Sequence, residues 1–450
     1  MAYVRVPPDG AGKKVYSRTQ TVGADSVETQ VMHLADSNTP TQLLAVDGRG
    51  AASVRFAEGQ PIMGGFGSLK TTHEHPLGVY ESSLDTYSSL FTVTTATGGA
   101  LTYDAVGSSE VLSTTSASGS SVKLTTNRYH YYLPGSANLY KMTISCGDTG
   151  KANNVRRWGA FDTNDGAFFC LHNTNLQVVL RNSTSGSVVE TAVNQANWNV
   201  DKLDGTGLSG HVLDITKINV WWLDYQWLGA GRCRFGIYLP DGTRLVCHEF
   251  KNAGANTLPF MRTGTLPIST ENTNTGITGS TSELRTVCLS AYTEGNFQDY
   301  AYWRFADIDA NNVSAVTNTP LANIRAVATV NSKHNSVIIY PETLNVYCNE
   351  PVAITLWQAT SVTGGTWTSL ASIGEVNYGG TVSTTGSQKF KTLYFPAGAT
   401  SIDLDKFFEK NDEGILMNAD GTYEVWSVLA TRLTANATTV SMNIGYKELW

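Results

Sequence analysis

The sequence predicts an all-β protein: two β-sandwich (jelly-roll-like) domains preceded by an extended N-terminal arm. Three observations carry this expectation. Charged residues make up only 15% of the 450 positions, against ~25% in typical soluble domains. Ser, Thr, Asn and Gly take their place, in runs such as STTSASGSSVKLTT (Ser113 to Thr126), a bias toward short strands and many turns. From about residue 120, short apolar segments follow one another at strand length, with turn residues between them.

The elements follow in order. Residues 1–100 are irregular, punctuated by PPDGAGKK, GGFGS and TTATGGA, and read as an arm that orders on a neighbour. Residues 101–312 form the expected central sandwich, with RYHYYLPG, NLYKMTISCG, RRWGAFD, AFFCLHN and LQVVLRN as strands. Asn164-Asp165-Gly166 and Ser185-Gly186-Ser187 mark hairpins, the first through residues that tolerate positive φ. Residues 313–450 form the expected second sandwich, from ANIRAVATV through SVIIYPETLNVYC to VSMNIGYKELW. Only SIDLDKFFEKN (Ser401 to Asn411) looks helical.

Charge and composition exclude several classes. The net charge is −7, from 31 basic and 38 acidic residues without long runs of either sign, so no positive face is expected for nucleic acid. No stretch approaches the ~20 apolar residues of a membrane helix, and MAYVRVPPDG lacks an apolar segment behind its charge; synthesis and residence in a cytosol are expected. The six cysteines lack CxxC spacing and read as small buried apolar residues. No cofactor fingerprint or nucleophile elbow occurs, so the chain is not expected to be an enzyme. His73 and His75 in THEHP lack a third metal ligand. DTNDG and DIDANN resemble calcium loops without an EF-hand's glycine and glutamate positions. Turn chemistry explains them, and calcium at Asp162/Asp165 or Asp307/Asp309 stays open.

WWLDYQWLG (Trp221 to Gly229) sets aromatic residues around one acid. As a strand, Trp221, Leu223, Tyr225 and Trp227 share one face, and Ile218, Val220, Trp222 and Asp224 the other. A strand apolar on both faces needs a layer above and below. With Asp241-Gly242 at the tip of the next hairpin, Ile237 faces Val246, Phe235 faces His248, and Arg234 faces Glu249. Cys233 and Cys247 then point to opposite faces. Asp224 is expected to be neutralised by Arg232 or Arg234, a structural pairing preferred over ligand contact or catalysis. The candidate core and ion-pair residues are Trp222, Asp224, Trp227, Arg234 and Glu249. Candidate glycan contacts are Tyr129 and Tyr131, whose flat rings would stack on sugars if exposed.

RRWGAFDTNDGAFF (156–169), NWNVDKLDGTGLSG (197–210), LDITK (213–217), WWLDYQWLGAGRCRFGIYL (221–239) and CHEF (247–250) together resemble a domain of virion structural proteins from tailed bacteriophages of marine and cyanobacterial hosts. The resemblance covers about 155–265 and supplies no catalytic residues. It implies a structural component of a virion, made in the host cytoplasm. That component assembles as a homo-oligomer, expected as a homotrimer, on the head as decoration or fibre, or on the tail or baseplate. Its partners would be capsid or tail proteins. The alternative expectation is a glycan-binding jelly-roll protein acting in host-cell adsorption.

Overall fold

A computed structural model describes residues 17–22, 25–30, 74–85, 90–294, 305–358, 360–370, 373–404 and 414–449. The chain divides into two compact units, 1–60 and 61–450. In the first, Ser17–Val22 pairs antiparallel with Asp25–Gln30. The second holds two β-sandwiches, so the chain is all-β as its composition predicts. Among the described residues no helix is long and apolar enough to cross a membrane.

The central sandwich packs a seven-stranded sheet on an eight-stranded one. The first carries Asn154–Phe161 and Gly166–His172 near its middle; the second carries Asn219–Tyr225 between Arg232–Tyr238 and Ala137–Ser145. Between them lies an aromatic core. The Trp158 and Trp221 rings meet at 5.0 Å, Phe169 and Trp221 at 4.7 Å, and Phe169 and Phe235 at 5.2 Å, mostly edge to face, as ring quadrupoles prefer. The sandwich starts earlier than the expected boundary at 101. Glu74–Glu81 pairs with Ser282–Glu294, and Phe91–Ala96 with Ser121–Thr126.

Two hairpins show how local chemistry sets these strands. Gly186 sits at φ 88° between Asn175–Asn182 and Val189–Asn194, as the Ser-Gly-Ser signal predicts. The Asn164-Asp165-Gly166 hairpin also forms, for a different reason. None of its three residues has positive φ. Asp162 Oδ1 accepts the N–H groups of Asn164 and Asp165 at 2.7 and 2.8 Å, and a Cβ on Gly166 would lie 2.2 Å from that of Phe161. The glycine is required by close approach.

The second sandwich packs the four-stranded sheet of Phe305–Ala315, Thr438–Leu449, Ile338–Cys348 and Gly398–Asp403 on a six-stranded sheet. Its own core includes Ile308, Leu344, Val346, Ile354, Val428 and Ile444. The helix expected at 401–411 begins as the end of the strand Gly398–Asp403, followed by a bend at the buried Leu404; residues 405–411 lie outside the described residues. The cysteines are unpaired thiols, buried apart from Cys288.

Candidate functional site

Asn219–Tyr225 is dry where it matters. Trp221, Leu223 and Tyr225 enter the main core, against which the half-buried Trp227 also packs. On the opposite face Trp222 and Asp224 are 0% and 2% exposed. Cover on that face is incomplete, since Ile218 and Val220 are exposed. Asp224 lies opposite Arg234. Arg234 Nε donates to Oδ1 at 2.8 Å and its Nη2 to Oδ2 at 2.6 Å, the forked geometry that favours a buried pair. Arg244, which the sequence reading did not single out, donates to Oδ2 at 3.1 Å. Its guanidinium also lies 4.0 Å from the Trp222 ring centre, a cation–π contact. Burial works to lower the Arg234 pKa, but the Asp224 charge and hydrogen bond, together with the Glu249 charge, raise it above its ordinary value.

Glu249 faces Arg234 in register and takes ion pairs from Arg232 at 3.2 Å and Lys251 at 3.1 Å. Both carboxylates that could form a glycosidase pair are therefore neutralised and buried. The hairpin register agrees at Cys233, Arg234 and Phe235 but not at its tip. Leu239 N–H bonds Thr243 O, and Gly242 sits at φ 84°, so the loop has one residue fewer than expected. A bulge restores the register: Gly236 pairs with Val246 and leaves Cys247 as the extra residue. That bulge turns Cys247 into the same core that Cys233 enters, correcting the expectation that the two thiols face apart.

The candidate glycan contacts do not survive. Tyr129 and Tyr131 are 6% and 3% exposed. Tyr129 stacks on His334 of the second sandwich at 4.3 Å, and Tyr131 belongs to the central core. Calcium has no free ligand set at the first acidic loop. Asp165 accepts from Ser183 and Arg262, and Asp162 Oδ1 is held by turn amides. Asp309 is bonded by Asn443; the Asp307 side chain and His73 lie outside the described residues. Among the described residues no three His, Cys, Asp or Glu side chains converge to hold a metal.

An open site lies on the second sandwich instead. A groove of about 420 Å³ crosses the outer face of the four-stranded sheet. Register aligns one residue from each strand: Ser401 faces Asn345, Asn345 faces Asn443, and Asn443 faces Asp309. Asn345 Nδ2 donates to Asn443 Oδ1 at 3.2 Å, and Asn443 Nδ2 to Asp309 Oδ1 at 2.7 Å. This ladder ties both amides to the carboxylate, in a row whose Asp309, Asn345 and Ser401 are exposed. One outward step along the strand, roughly 7 Å away, Tyr347 is 56% exposed and lines the same groove. At the rim, a bulge between Ala310 and Val313 and Asn312 at φ 55° bring Asn311 to the groove.

The sequence reading missed this site. Thr343, Asn345 and Tyr347 alternate with Leu344, Val346 and Cys348, and Ser441, Asn443 and Gly445 with Met442 and Ile444. That period marks one outward polar face. The signal was present in each strand, but their alignment was not.

No protein-family model matches the chain, and no curated protein aligns with it. The metal-free carbohydrate recognition domain of Emp46p matches with 11% identity and a TM-score of 0.31, covering 50% of this chain and 100% of that one. A legume lectin-like domain from Entamoeba histolytica gives 11% and 0.30, covering 48% and 96%. The CBM2 module of the evolved Dit of Lactobacillus casei phage J-1 gives 9% and 0.32, covering 50% and 99%. No residue role is carried over from them.

Proposed function

We propose that the chain is a glycan-binding β-sandwich protein whose ligand lies in the groove on the second sandwich. The observation behind this reading is the fixed row Ser401, Asn345, Asn443 and Asp309 beside exposed Tyr347. Sugars present vicinal hydroxyls and apolar ring faces. Planar amides and a carboxylate, locked by each other's hydrogen bonds, accept and donate to such hydroxyls without losing side-chain entropy on binding. A flat phenol supplies the stacking surface. A glycan array probed with the full chain tests this. Retention that falls at least tenfold in Tyr347→Ala supports it; array binding unchanged by Tyr347→Ala contradicts it.

A second reading concerns where such binding would be used. The phage-like motifs of the central sandwich favour a particle component that presents the second sandwich outward, as a homotrimer held by capsid or tail proteins. Glycan binding would then serve adsorption to a host surface, without catalysis. Deleting residues 1–60 and assaying incorporation into particles tests it. Loss of incorporation by a folded protein is expected; an arm-less chain that still co-purifies with particles counts against it.

A further inference from the structure

Resting on the glycan reading of the groove, we infer that the ligand is a neutral oligosaccharide bound across the strands, and that acidic glycans are excluded. Two observations carry this.

The first is charge. Of the eleven described residues lining the groove, Asp309 is the only carboxylic acid and none is Lys, Arg or His. Along the middle strand the nearest cation is Lys447, beyond Gly445, and it is paired with Glu342. A uronate or sialate carboxylate entering here would meet the Asp309 charge, with no guanidinium or ammonium among the described lining residues to receive it. Recognition of carboxylates relies on those cations. The same acceptors suit neutral sugar hydroxyls, since a carboxylate accepts a hydroxyl proton in a charge-assisted bond.

The second is direction. The polar row runs perpendicular to the strands, over four strands and three spacings, or about 14 Å. That length exceeds one pyranose ring and suits a chain of a few. Tyr347 lies beside the row, on the strand that also carries Asn345. One ring can stack there while its neighbours bond along the row.

The test is affinity electrophoresis of the full chain in gels containing neutral polysaccharides (dextran, mannan, galactan) or acidic ones (polygalacturonate, alginate, polysialic acid). The wild-type chain and Tyr347→Ala are compared at low and high salt, with free mono- to tetrasaccharides as competitors. The expected result is retardation by at least one neutral polymer, little changed by salt and lost in Tyr347→Ala. Tri- or tetrasaccharide should compete at least tenfold better than the monosaccharide. Tyr347-dependent retardation by an acidic polymer would overturn the inference while leaving the groove as the glycan site. Equal competition by monosaccharide would overturn the proposed direction. If no polymer of either kind gives Tyr347-dependent retardation, the glycan reading itself fails, and this inference with it.

Discussion

The two sandwiches each place an aspartate on the outward side of a middle or edge strand, and they treat it in opposite ways. Asp224 in the central sandwich is closed over by Arg234 and Arg244, with Trp222 beside it. Asp309 in the second sandwich is exposed, held by one amide donor and facing a groove. A buried carboxylate whose hydrogen-bonding capacity is filled by guanidinium groups has no capacity left for a ligand. An exposed one that is oriented but not filled keeps that capacity. Aromatic density beside an acid is therefore a poor guide to a sugar site; the useful signal is a polar face that the fold leaves uncovered.

Several outcomes would break or sharpen this contrast. The largest belongs to the buried pair: Asp224→Ala strands two guanidinium groups and should cost about 3–5 kcal/mol, read by chemical denaturation. Gly166→Ala should cost about 1–3 kcal/mol by overpacking against Phe161, measured in the same way.

Acid should weaken the central sandwich through its histidines. His130 is buried, its Nδ1–H facing the Leu266 carbonyl and its Nε2 accepting from Tyr80 at 3.1 Å. Burial, then the Arg128 charge, push its pKa down to about 3; burial takes His248 to about 4. The unfolded chain protonates these rings near pH 6.5 while the folded one does not. Stability is thus complete above 6.5 and falls as pH drops toward those values, by roughly 1.4 kcal/mol per pH unit per histidine. Hydrogen exchange should show Asn219–Tyr225 losing protection below pH 6.5 before Thr438–Leu449 does. The smallest effect belongs to the groove: Tyr347→Ala should change stability by less than about 1 kcal/mol, seen as an unfolding midpoint close to wild type.

Much of the fold was legible because it is local. Alternation in WWLDY placed Trp221, Leu223 and Tyr225 in the core, and counting from Asp241-Gly242 paired Arg234 with Glu249. The count held there through two offsetting departures, a three-residue tip and the bulge at Cys247. Between them, the same count misplaced Ile237 and turned Cys247 to the wrong face. Arg244 as a second partner of Asp224 was hidden by that slip. The groove was out of reach for another reason: Asn345 and Asn443 are 98 residues apart, and Asn443 and Asp309 are 134. Each strand announces a polar face, but periodicity does not say which strands become neighbours. Tyr129 and Tyr131 failed because the second sandwich contributes the His334 ring that covers the first, and the central core takes the second.

The most direct test compares Asp309→Ala with Asp224→Asn in one experiment that reads both glycan retention and the unfolding midpoint. Asp309→Ala should lose retention at least tenfold with a near wild-type midpoint, and Asp224→Asn should lower the midpoint while its folded fraction still binds. Full retention by Asp309→Ala, or loss of retention by an Asp224→Asn protein of undiminished stability, would contradict the division between a sealed scaffold and an open binding face.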